Sequence, residues 1–168
     1  MAPNVDYQMT SATYSDGARG IYQTLGVMRG LVTAGRCHSA VLNAARTAIF
    51  LAPPKDDIAE VTALFESVRD HIRYTRDVLN TETVSTPEKT LQARAGDCDD
   101  QVVLLCAMCE AVGYPTRFVI AGNSPTCEYE HVYCQVFAAG QWIDCDPTEA
   151  NPIGWAPPNP TIIAYEDI

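Results

Sequence analysis

Positive charge is scarce in this sequence. Its 11 Lys and Arg stand against 21 Asp and Glu, a formal net charge of −10. Nucleic-acid binding needs a basic footprint, and an acidic surface repels phosphate, so no nucleic-acid partner is expected. Long apolar runs are missing too. No stretch approaches the roughly 18 continuous apolar residues of a membrane span, so no membrane partner is expected either. The opening MAPNVDYQMT has neither the basic nor the apolar segment of a secretory signal. Asp97, Asp99 and Asp100 lack the glycine and distal glutamate of an EF-hand loop, which leaves helix capping as their account. Cys106-Ala107-Met108-Cys109 is a C-x-x-C with no second ligand pair at zinc spacing, in a run too apolar to open a helix at the surface. We expect no metal and no cofactor, with Cys106 and Cys109 in the core. Internal repeats are absent.

What is present suits one ordinary domain. The 168 residues are 47% hydrophobic and 19% charged, enough for one real core. The cysteine count is seven, an odd number. That count and the missing signal together point to a reducing cytoplasm in which most cysteines are small buried apolar groups.

Residues 1–16 are polar, without a period, and read as an arm. Ile21, Leu25, Met28 and Val32 follow at helical spacing to Gly35, and Val41, Leu42, Ala45, Ile49 and Phe50 make a second stripe. Pro53-Pro54 break the chain. Asp56 or Asp57 caps an amphipathic helix whose buried face is Ile58, Val61, Phe65, Val68 and Ile72. Residues 76–96 read as a long loop with extended pieces, interrupted at Pro87. A helix then runs from Cys98 to about Val112 and ends at Gly113, apolar nearly all round, which predicts a central, buried position. Thr116–Ala121, His131–Phe137 and Gln141–Asp146 are strand candidates, the last two joined by a tight turn. The proline-rich tail, 147–168, is expected to wrap the surface in extended form.

Three of these features converge on a single chemistry. Asp97 as N-cap places Cys98 in the first turn of its helix, where the dipole favours thiolate and free N–H groups can hold an oxyanion. The three neighbouring aspartates oppose ionisation, so an active thiolate requires an imidazolium beside it. In the strand starting at His131, alternation sets His131, Tyr133 and Gln135 on one face. Trp142, Asp144 and Asp146 share a face of the next strand. A two-residue turn at Ala138–Ala139 would set His131 opposite Asp146, and a one-residue bulge at Gly140 would change the parity. Asp144 has the same parity and is the rival. Asp146 is favoured because it meets the end of the hairpin where His131 sits. Cys98, His131 and Asp146 are then nucleophile, base and orienting acid.

The ordered segments Gly96-Asp97-Cys98-Asp99-Asp100, Gly113-Tyr114-Pro115-Thr116-Arg117-Phe118-Val119, His131-Val132-Tyr133 and Trp142-Ile143-Asp144-Cys145-Asp146-Pro147-Thr148 resemble the transglutaminase-like superfamily, in particular its small members encoded by tailed phages and prophages. Val68-Arg69-Asp70-His71-Ile72-Arg73-Tyr74, Pro87-Glu88-Lys89-Thr90-Leu91 and Ile153-Gly154-Trp155-Ala156-Pro157 fit the same pattern. The resemblance covers roughly residues 56–158 and puts the family's catalytic residues on Cys98, His131 and Asp146. It implies an α+β papain-like fold, with a central Cys-bearing helix packed on an antiparallel sheet. Residues 1–55 would be an N-terminal arm and helical extension, 56–150 the core and 151–168 the tail, all in one compact domain. It also implies acyl transfer on a protein or peptide substrate, by hydrolysis or by transglutaminase-type cross-linking, in the cytoplasm of a bacterial host. The acidic surface favours a basic protein partner or a lysine-bearing acceptor. Gln92, six residues before the cysteine, is a candidate oxyanion donor by analogy with papain-type enzymes. The alternative is a phage structural or assembly protein, associated with virion components, that keeps the fold with little or no catalysis.

Overall fold

A computed structural model describes residues 18–76, 83–122, 131–160 and 162–168; the N-terminal arm lies outside these. Helix α1 (Ala18–Gly35) buries Leu25, Met28 and Val32 at the spacing the sequence predicts. Its last residue meets Pro87 so closely that a Cβ on Gly35 would lie 2.5 Å from the proline Cγ. In α2 (Ser39–Ile49) the His38 ring accepts from the Ala40 N–H as N-cap, and Val41 and Ala45 are buried. Phe50 departs from its expected stripe. It lies beyond the helix end and is 82% exposed. Helix α3 (Asp57–His71) is capped by Asp56, whose carboxylate accepts from the Ala59 N–H at 3.0 Å. Its buried face is Val61, Leu64, Phe65 and Val68, while Ile58, at the fraying first turn, is exposed.

The segment read as a long loop contains structure. Strand β1 (Arg73–Tyr74) pairs in parallel with β2 (Ala95–Gly96), and α4 (Pro87–Ala93) lies between them. Pro87 begins this helix rather than breaking a loop, because at the first helical position its missing N–H costs nothing and its fixed φ is already helical. The Ser85 N–H donates to the Asp100 carboxylate at 2.6 Å, which ties the approach to α4 onto the central helix.

That central helix is α5 (Cys98–Ala111), in which every residue from Asp100 to Cys109 is buried. Its neighbours explain why it is apolar on all sides: α1, α2, α3 and α4 pack on one side and β3 and β4 on the other. The sheet is antiparallel, in the order β5-β4-β3-β6, formed by β3 (Thr116–Gly122), β4 (His131–Ala138), β5 (Gln141–Cys145) and β6 (Ile162–Asp167). Phe118, Ile120, Val132, Cys134, Val136 and Cys145 belong to the main core. The opposite face carries Val119, Ala121 and Tyr133 under Ala156. The end of the chain is therefore only partly the wrapping tail expected. Residues after the prolines form the edge strand β6, pairing with β3 from Arg117↔Asp167 to Gly122↔Ile162. The architecture is α+β, with a Cys-bearing helix at the centre of the molecule against an antiparallel sheet.

Candidate active site

The helix start carrying Cys98 forms as its sequence dictates. The Asp97 carboxylate accepts from the Asp100 N–H at 3.1 Å, satisfying one of the free donors of the first turn. Gly96 is required just upstream, because a Cβ there would stand 2.5 Å from the Asp100 Cβ. Cys98 is partly buried, and its thiol donates to the Asp99 carboxylate at 3.6 Å. Burial first, then the charges of Asp99 and Asp97, push the thiol pKa well above its ordinary value. The resting sulfur in this geometry is a thiol, and the helix dipole does not overcome these opposing influences.

His131 and Asp146 meet. The ring Nε2–H donates to Asp146 Oδ2 at 2.6 Å, and Nδ1 has no hydrogen bond among the described residues. The route to this contact differs from the one expected. The turn is Ala139–Gly140, with positive φ of 49° and 79° at the two residues, so Ala138 pairs with Gln141. The ladder is shifted by two from a turn at Ala138–Ala139 and its last pair is Cys134↔Cys145. Asp146 therefore follows the end of β5 and reaches His131 diagonally. A shift of two preserves side-chain parity, which is why the face assignment survives the change of register. Asp144, the rival, is engaged elsewhere: it accepts from Gln135 Nε2 at 2.7 Å.

Asp146 is 2% exposed and its other oxygen is fully engaged. Oδ1 accepts from the Thr148 N–H at 3.1 Å and from the Thr148 hydroxyl at 2.7 Å. Asp-Pro-Thr builds this local turn, with the side chain of the first residue capping the N–H two residues on. That spacing is visible in the sequence, but the role of Thr148 went unassigned. Burial of His131 works against its charged form, but the Asp146 hydrogen bond and charge outweigh it, helped by Glu149 and Asp99, and the imidazole pKa is raised. Asp99 thus acts on both halves of the site, accepting from the thiol and favouring the imidazolium.

A cavity of about 450 Å³ begins at Pro147, next to Asp146 in the chain, with Arg69, Tyr74, Gln101, Thr148 and Glu149 in its wall; Cys98, His131 and Asp146 do not line it. Gln101 donates to the Gly96 carbonyl at 3.2 Å, and its Oε1 is buried without a partner. Tyr74, read only as part of a longer motif, borders this cavity. Gln92 is exposed on α4, and no hydrogen bond joins it to Cys98, His131 or Asp146 among the described residues. Cys106, Cys109, Cys134 and Cys145 are buried free thiols between α5 and the sheet. Cys134 and Cys145 are register partners. Cys127 lies outside the described residues. Among the described residues no cluster of three or more His, Cys, Asp or Glu is arranged to hold a metal ion, and no helix is long and apolar enough to cross a membrane.

The solved structures similar to this chain share its fold. A proposed protease from Parabacteroides distasonis matches with a TM-score of 0.60 at 12% identity, over 77% of this chain and 26% of that one. A proposed cysteine protease from Cytophaga hutchinsonii matches with a TM-score of 0.53 at 18% identity, over 76% of this chain and 50% of that one. The Rad4–Rad23 complex crosslinked to undamaged DNA contributes a chain that matches with a TM-score of 0.51 at 14% identity, over 79% of this chain and 39% of its own length. This chain therefore spans half or less of each of these relatives. No curated protein sequence matches it. The family profile of the transglutaminase-like superfamily matches residues 44–147, from α2 through the Cys98 helix to the residue after Asp146, and the chain belongs to that superfamily.

Proposed function

We propose that this protein is a cysteine acyl-transfer enzyme acting on a peptide or carboxamide, with Cys98 as nucleophile, His131 as general acid–base and Asp146 as the group that orients the imidazole. The observation that carries this reading is the 2.6 Å His131–Asp146 hydrogen bond, made by a 2%-exposed carboxylate, in a superfamily chain with a cysteine at the head of its central helix. Nδ1 of His131 takes the Cys98 proton as Sγ bonds to the carbonyl carbon. Collapse of the tetrahedral adduct breaks the C–N bond, and the same proton leaves on the amine. Water then gives hydrolysis, and an amine gives a new amide. Because the resting sulfur is a thiol, proton removal accompanies attack rather than preceding it. A bacterial or phage source, and a host cytoplasmic site of action, remain part of this reading from the motif resemblance.

The test is alkylation of Cys98 by iodoacetamide between pH 6 and 9, followed on the Cys98 peptide by mass spectrometry. His131→Ala is expected to slow the reaction about tenfold or more at neutral pH. Asp146→Ala should slow it less, since the ring stays but loses its fixed orientation. Identical pH profiles for all three proteins would mean that Cys98 is uncoupled from His131. That result would favour the second reading, a phage structural or assembly protein that keeps the fold. The hold of Asp99 on the Cys98 thiol is the feature that supports this alternative.

A further inference from the structure

The acyl-transfer reading requires a donor for the oxyanion that forms when Cys98 attacks. Gln92 lies exposed on α4, and a second candidate is paired with the chain just before the nucleophile. Tyr74 is the parallel register partner of Gly96, two residues before Cys98. Register partners in a parallel pair present their side chains to the same face, and Gly96 has none, so no side chain at its register position covers the tyrosine. Its ring borders the cavity that also reaches Gln101, on the turn after Cys98, and Thr148, which holds Asp146. It is 45% exposed, open to a substrate rather than sealed in the core.

We propose that the Tyr74 hydroxyl donates a hydrogen bond to the developing oxyanion of the substrate. The proposal rests on the acyl-transfer reading of the site and adds a catalytic residue to it. One further observation agrees. Burial and the nearby charge of Asp97 raise the phenol pKa, so the hydroxyl keeps its proton at neutral pH and is available as a donor.

The experiment compares two reactions at the same sulfur. In acylation by p-nitrophenyl acetate, the Sγ–C bond forms through a tetrahedral oxyanion, the C–O bond breaks and p-nitrophenolate leaves. In alkylation by iodoacetamide, sulfur displaces iodide and no oxyanion forms. Both are followed on the Cys98 peptide by mass spectrometry, which separates them from reaction at the exposed Cys37. Tyr74→Phe is expected to slow acylation about 10²–10³-fold and to leave alkylation within about twofold. Tyr74→His, which keeps a donor, is expected to recover part of the acylation rate. Acylation of Tyr74→Phe within about threefold of the unaltered protein would overturn the proposal and leave the triad standing. An equal loss in both reactions would overturn it as well, because Tyr74 would then act on the thiol or the fold. If the unaltered protein alkylates at Cys98 but is never acylated there, the acyl-transfer reading fails and this proposal falls with it.

Discussion

His131 shows how two opposing influences set one residue's behaviour. Burial alone would depress the imidazole pKa, and only its acidic neighbours, Asp146 foremost, reverse the sign. Replacing Asp146 by Asn keeps the shape and removes the charge, so the His131 pKa should fall from above 6.5 to below it. An NMR titration of the ring measures this, and an unchanged midpoint would show that Asp146 does not control the ring. The stability consequence has a definite sign. A group whose folded pKa is raised stabilises the fold fully below its unfolded value of about 6.5, and this contribution disappears as pH rises through the folded value. The stability advantage of the unaltered protein over His131→Gln should accordingly be larger at pH 5.5 than at pH 9 in urea unfolding. A difference that grew with pH would contradict the geometry. Cys98 is the converse case: burial and the charges of two aspartates act together, opposed only by the Asp99 backbone N–H. The aspartates are adjacent in sequence, so their effect could be foreseen there. The burial of the sulfur, which is the larger influence, belongs to the tertiary packing.

Among the elements, the β4–β5 hairpin decides the site and was read with the wrong turn. Ala138–Ala139 and Ala139–Gly140 are both two-residue possibilities. The chain takes the second because Gly140 adopts φ +79° without cost, while only one alanine, Ala139 at φ +49°, has to enter the left-handed region. Two positive φ values in a two-residue loop make the type I′ turn, which matches strand twist and favours Asn-Gly. Ala139→Asn should therefore stabilise the protein by about 0.5–1 kcal/mol, and Gly140→Ala should destabilise it by about 1 kcal/mol. Chemical denaturation of the two variants checks both signs. A stable Gly140→Ala variant would show that the turn can slide back to the other register. Helix α4 was missed for a related reason. Seven residues are too few to show a hydrophobic period, and Pro87 at their head reads equally as punctuation or as a good first residue of a helix.

On the scale of the whole molecule, the chain closes on itself at β6. This strand covers the edge of β3, and its Glu166 reaches α1 through a 3.3 Å ion pair with Arg29. Its Tyr165 ring lies 4.3 Å from the Arg117 guanidinium, which is 4.2 Å from the Trp142 ring on its other side. Removing residues 161–168 would expose the N–H and C=O groups of β3 as an open edge and leave Arg117 stacked on one ring only. Such an edge templates pairing with other chains. The truncated protein should lose about 2–4 kcal/mol in stability and aggregate on gel filtration. A monomer of unchanged melting temperature would place the stability of the sheet elsewhere.

The sequence by itself determined the amphipathic and central helices, the caps at Asp56 and Asp97, the face parity of His131 and Asp146, and the family motifs. Each of these depends on spacing along the chain, and spacing is what a sequence records. Only the tertiary structure decided the register of the hairpin, the conversion of the final residues into β6, and the burial of Cys98. It also placed Tyr74 beside the helix that begins at Cys98. These depend on which atoms are brought close by segments far apart in the chain, through the β1–β2 pairing and the desolvation of the sulfur, and no local pattern encodes such distances.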